Sequence, residues 1–177
     1  MRTEFPKPTR TAGSWPHIVI PHNYADHEFA YRLAGELRRD RITHWIDEVD
    51  MSGGVFLVSR ICQYARPVDF LIPVISESSV TSNWVQRELR LVMTRAFNGV
   101  QITVITARAD NSPVPVFLAS RPSFDFFDGG WSRAYDDLMV TVARETSERH
   151  ARRSIPGHNP ERLPRANNPL QRRRWGS

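Results

Sequence analysis

Val68-Asp69-Phe70-Leu71-Ile72-Pro73-Val74-Ile75-Ser76 runs straight into Glu77-Ser78-Ser79-Val80-Thr81-Ser82-Asn83-Trp84-Val85-Gln86-Arg87-Glu88-Leu89, and the reading of this stretch decides the fold. Its first half is a short apolar run with β-branched residues, the pattern of a strand buried on both faces. In the second half Val85, Leu89, Val92, Met93 and Ala96 recur at helical spacing, with Ser82 as the predicted N-cap. Trp84 and Glu88 stand four apart and so share a face, separate from the Val85/Leu89 stripe that should meet the sheet. An indole and a carboxylate are thereby placed together one turn into a helix, beside a serine-rich strand-to-helix turn. Open α/β folds bind their ligands at this end of a strand.

Working outward, the same alternation repeats. His17-Ile18-Val19-Ile20-Pro21 reads as a first strand, followed by a helix with Asp26 as N-cap and Phe29, Ala30, Leu33, Ala34 and Leu37 as its core face. Residues 42–46 read as a second strand ending at Asp47. The loop Glu48-Val49-Asp50-Met51-Ser52-Gly53-Gly54 leads to a helix from Val55 to Ala65, stopped before Pro67. After the central stretch come a fourth strand over 101–106 and a fifth over 123–127. The turn Asp128-Gly129-Gly130 then opens a last helix from Trp131 to about Glu148, with Trp131, Ala134, Tyr135, Leu138, Met139, Val142 and Ala143 inward. This order predicts an α/β fold: a flavodoxin-like open five-stranded, mostly parallel sheet with helices on both faces. The predicted organisation is a flexible leader over 1–16, one domain over 17–147 and an Arg-rich disordered tail over 148–177.

Charge follows that division. Residues 148–177 hold 8 Arg against 2 Glu, a net of +6, which leaves 16 basic and 17 acidic groups in residues 1–147. The folded part is therefore near neutral. An apolar fraction of 40 % with five Trp and nine Phe fits a folded protein with a sizeable core. No run approaches the roughly 18 apolar residues of a membrane span, and the first residues lack the apolar stretch of a secretory signal. Cys62 is the sole cysteine, which excludes an internal disulfide and a cysteine zinc cluster. The expectation is a cytoplasmic protein.

The central stretch resembles the Toll/interleukin-1 receptor (TIR) domain family, whose third strand and following helix are matched by Val74-Ile75-Ser76-x-x-Ser79-x-x-Ser82-x-Trp84-Val85-x-x-Glu88-Leu89. Val19-Ile20-Pro21-His22-Asn23-Tyr24-Ala25-Asp26 looks like the family's first box, with Val19 and Pro21 where Phe and Ser are common. Trp45-Ile46-Asp47 with Gly54 and Phe56 looks like the end of the second strand and its mobile loop. Phe126-Phe127-Asp128-Gly129-Gly130-Trp131 looks like the last strand entering the last helix. The resemblance covers residues 17–147 and implies a prokaryotic stand-alone type that cleaves NAD+, with Glu88 as the essential glutamate. It implies further that Trp84, Asp47, Asp50, Ser76 and Val19 contact the substrate. NAD+ is then consumed as substrate and no cofactor is required. Self-association through TIR surfaces, a downstream effector protein and a role in anti-phage signalling are implied as partners and setting.

The chemistry suits one carboxylate. Breaking the nicotinamide–ribose bond passes through an oxocarbenium-like centre, which a nearby carboxylate stabilises, and neutral nicotinamide leaves without an acid. Each site residue also has an ordinary reading. Glu88 can be a solvated helix glutamate paired with Arg87 or Arg95, Trp84 can seal the helix against the 48–56 loop, and Asp47 and Asp50 can be turn formers. Ser76 and Ser79 read as caps rather than nucleophiles, since no histidine stands at a spacing that favours a Ser-His pair. The histidines form no H-E-x-x-H metal motif, and no G-x-G-x-x-G follows a strand. The tail arginines could attract nucleic acid, but Trp175 is their one aromatic neighbour, and a solvated tail is the favoured reading. The alternative to an enzyme is a non-catalytic TIR–TIR scaffold in signal transduction.

Overall fold

A computed structural model describes residues 16–48, 68–97 and 102–153 of the chain. Its strands are β1 (Ile18–His22), β2 (His44–Glu48), β3 (Phe70–Leu71), β4 (Val74–Ile75), β5 (Thr103–Val104), β6 (Thr106–Arg108) and β7 (Ser123–Asp125). The helices are α1 (His27–Arg39), α2 (Glu77–Thr81), α3 (Asn83–Phe97) and α4 (Trp131–Arg153). Hydrogen bonding orders the strands β2-β1-β3-β5 and β4-β6-β7, and every pairing is parallel.

These two sets are one sheet. The amides of Thr103, Ile105, Ala107 and Ala109 donate in turn to the carbonyls of Asp69, Leu71, Pro73 and Ile75, at 2.8–3.1 Å. A donor every second residue is the signature of an unbroken parallel ladder. The formal interruption falls at Pro73, which has no N–H to give although its carbonyl still accepts. With β3–β4 and β5–β6 each counted as one line of chain, five parallel strands result, as the alternation in the sequence predicts.

Side chains alternate across that sheet. Ile18, Ile20, Phe70 and Ile72 join Leu33 and Leu37 of α1 and Leu138 and Val142 of α4 on one face. Val19, Leu71, Ile75 and Val104 join Leu89, Val92 and Met93 of α3, together with Leu118, on the other. Burial on both faces explains why the central run carries no polar alternation. Among the described residues no helix is long and apolar enough to cross a membrane.

Four expectations change. Asp26 precedes α1 but makes no side-chain cap bond; Asn23 instead caps the short 3-10 turn Tyr24–Asp26 by accepting from the Ala25 amide at 3.0 Å. The serine-rich stretch after β4, expected to be a turn, is the short helix α2 under Ser76; Ser82 stands extended at the N-cap position expected of it, directly before α3, and its carbonyl accepts from the Gln86 amide at 3.1 Å. Ala143, expected inward, is exposed. Finally, α4 continues to Arg153, into the stretch expected to be disordered. The predicted loop and helix over 49–67 lie outside the described residues, as do 1–15 and 154–177.

The extension of α4 has a cause in Arg149. Its guanidinium donates to Thr103 Oγ1 at 2.5 Å, pairs with Asp69 at 3.6 Å and lies 5.2 Å from the Phe70 ring centre. Asp69 also accepts from the His17 amide at 2.9 Å, so four segments meet at the N-terminal edge of the sheet. This arginine is a structural fastener, not part of a solvated tail. Both side chains are mostly buried, at 15 % and 19 % exposure, so the pair escapes most of the screening that makes surface ion pairs worthless. Arg149→Ala, or truncation after Ser147, is expected to destabilise the fold by about 1–2 kcal/mol. Urea denaturation reads this as a lower midpoint at unchanged slope.

Candidate functional site

At the C-terminal edge of the sheet, β1, β4 and β6 end side by side and release the chain into Asn23–Asp26, Ser76–Thr81 and Ala109–Ser112. The middle turn is the most tightly bonded. Ser76 Oγ accepts from the Ser79 amide at 3.1 Å, while Ser79 Oγ accepts from the Ser76 amide at 2.8 Å, a reciprocal capping box. The Ser76 hydroxyl hydrogen goes to Asp26 Oδ2 at 2.7 Å. On the other side the Glu77 amide donates to Asp110 Oδ2 at 2.9 Å. Carboxylates from both flanking turns therefore grip the start of α2.

Their protonation behaviour differs for physical reasons. Burial pushes Asp26 above the usual carboxylate range, the Ser76 hydrogen bond opposes that, and the charge of Asp110 adds to the rise. Burial also pushes Asp110 upward, but the hydrogen bonds from Ser112 and the Glu77 amide, with Arg108 nearby, outweigh it and leave Asp110 below that range. A raised folded pKa makes the Asp26 contribution most favourable below its unfolded value of 3.8, and progressively lost as pH rises through the folded pKa. Asp26→Asn keeps an oxygen acceptor without the charge. Its stability relative to the parent is expected to rise with pH across that window and level off above it, as denaturation midpoints at several pH values will show.

Glu88 lies in the second turn of α3 and is 0 % exposed, with both carboxylate oxygens out of reach of water. The reading of Glu88 as a solvated surface glutamate is therefore set aside. Its neighbour Leu89 packs in the apolar cluster of α3 and the sheet, so the buried arc of the helix is wider than the Val85/Leu89 stripe alone. Ser76 is a buried cap and Ser79 is buried with it. Val19, expected at the substrate, is fully buried between β2 and β3, paired with Trp45 and Leu71, and serves the core. Asp47 pairs through its backbone with Pro21 at the end of β2, and Trp84 stands in the first turn of α3. Asp50 lies outside the described residues. The structure thus brings Asp26 and Asp110 to Ser76 and Glu77 at this sheet edge, and α3, which bears Trp84 and Glu88, follows after Ser82. The sequence reading makes Asp26 a local cap and the end of the first box, and its bond to a residue fifty positions away leaves no local trace in the sequence.

Comparison with known proteins agrees with this architecture. The TIR domain of the Toll-related receptor TRR-2 from the lower metazoan Hydra magnipapillata superposes with a TM-score of 0.55 at 19 % identity, over 71 % of this chain and 97 % of that one. The TIR domains of the activated Roq1 resistosome, which directly recognises the pathogen effector XopQ, give 0.44 at 15 % identity, over 75 % and 79 %. No curated protein matches the sequence. At 19 % identity the first of these likenesses speaks for the fold alone. A family model described as the TIR domain matches residues 18–139, from the first residue of β1 into α4, and with more than two thirds of its length so matched this chain belongs to the TIR-domain family.

Proposed function

We propose that this TIR domain cleaves the nicotinamide–ribose bond of NAD+, with Glu88 stabilising the ribosyl cation. The observation that carries the reading is a carboxylate enclosed completely on the helix that follows the central strand. A carboxylate held away from water interacts with a developing positive charge far more strongly than one in bulk solvent. As nicotinamide departs with the bonding electrons, positive charge spreads over the ribose C1 and ring oxygen. Water then captures C1 to give ADP-ribose, or an atom of the same substrate does so to give a cyclic product. Trp84, Asp47 and Asp50 are the proposed contacts to the base and ribose.

Because Glu88 is fully enclosed, productive binding requires the site to open, and self-association of TIR surfaces is the proposed means. The proposed setting is cytoplasmic immune-type signalling against phage, with a cyclic product passed to a separate effector protein or NAD+ simply depleted. The same enclosure favours a second reading, in which Glu88 only packs α3 and the domain is a non-catalytic TIR–TIR scaffold.

Incubation of the purified protein with NAD+ separates the two. Nicotinamide release is expected, with turnover per protomer rising as protein concentration rises. Absence of release even at the highest concentration would leave the scaffold. Mass analysis of the products distinguishes hydrolysis from cyclisation.

A further inference from the structure

The turn between β4 and α2 is bonded beyond the needs of a helix start. A serine hydroxyl has one hydrogen and two lone pairs. That of Ser76 gives its hydrogen to Asp26 and accepts from the Ser79 amide, while Ser79 Oγ both accepts from the Ser76 amide and donates to the Ser76 carbonyl at 3.0 Å. Asp26 sets the direction of this cycle: with the hydrogen drawn toward its carboxylate, the lone pairs of Ser76 face the Ser79 amide. Five residues of α2 cannot hold a helix unaided. Beyond it Ser82 is extended, at φ −79° and ψ 105°, so the direction in which α3 departs follows from how α2 is held. Glu88 comes six residues later.

We propose that Asp26 is a positioning residue which, by accepting the Ser76 hydroxyl, fixes the strand-to-helix turn from which α3 carries Glu88. The inference rests on Glu88 performing the reaction. Asp26 is a fitting agent for this task. It is 9 % exposed, it is free of the cap role its sequence position implies, and it belongs to the turn after β1, the strand beside β3 and β4. The bond therefore references the turn bearing the reactive helix to the sheet itself rather than to another loop.

The test uses Asp26→Ala, Asp26→Asn and, as a control, Tyr135→Phe, which removes a 2.7 Å hydrogen bond to Asp40 away from this turn. Steady-state cleavage of NAD+, melting temperature and amide hydrogen exchange of the peptide 76–88 are measured on the full chain. Asp26→Ala is expected to lower kcat by about ten- to a hundred-fold, the scale of a small misplacement of a reacting group, with KM changed little. Exchange over 76–88 is expected to quicken. Asp26→Asn, which keeps the acceptor oxygen, recovers most of kcat, and Tyr135→Phe lowers the melting temperature without touching kcat. Unchanged kcat in Asp26→Ala, unchanged exchange over 76–88, or an Asn variant as impaired as the Ala variant overturns the proposal. A wild type that releases no nicotinamide overturns the reaction and this role with it. That outcome is distinct from the others, because exchange is read without substrate.

Discussion

Glu88→Gln is expected to reduce the turnover of NAD+ by about 10²–10³-fold, the loss of about 2.7–4 kcal/mol that follows removal of one preorganised electrostatic group. Glutamine has nearly the same size and keeps a carbonyl oxygen, so it fills the same buried volume while the negative charge disappears. The melting temperature, measured alongside, reads what the substitution costs the fold. Lost turnover beside undiminished stability is the combination that marks a group serving the transition state and not the fold. Should Glu88→Gln turn over NAD+ at the parent rate, the carboxylate has no part in the chemistry.

Phe70→Ala carries the largest expected effect on stability. Phe70 is completely buried in β3, at the centre of the sheet, within the cluster shared with α1 and α4. Truncating such a ring costs about 3–5 kcal/mol, because the lost transfer free energy is joined by that of the cavity left behind. A domain of this kind has about 5–15 kcal/mol in all, so much of its stability goes. The loss should be compounded by Arg149, whose guanidinium rests over this ring and would lose that contact. A urea midpoint shifted by under about 1 kcal/mol equivalent would show that the sheet relaxes into the gap.

The elements most legible in the sequence are those stabilised by neighbours close along the chain. Ile18, Val19 and Ile20 are all apolar because both faces of β1 are covered, and the same pattern in the central run gives the parallel sheet directly. The serines after β4 were readable as caps, since a capping box lies within four residues. Long-range partners are where local reading failed. Asp26 obeys the rule for an N-cap, yet Ser76 outcompetes the helix amides for its carboxylate. Residues 144–153 show no apolar period that would extend α4, and the guanidinium of Arg149 ties the helix there to Thr103 of β5 and to Asp69 just before β3. The complete burial of Glu88 was not legible, because its local pattern fits a solvated helix glutamate equally well.

The placement of α4 has a bearing on biosynthesis. It follows every strand of the sheet along the chain, yet Leu138 and Val142 share with Leu33 and Leu37 the covering of Ile18, Ile20 and Phe70 on one face. At about 5–20 residues per second, a ribosome needs about a second or more to travel from Asp125 to Val142. Throughout that interval the nascent sheet has only α1 over this flank, and the part that α4 would seal stays greasy and bare. Chaperone capture, or clumping when capture fails, should therefore be concentrated in translation intermediates stalled between β7 and the middle of α4.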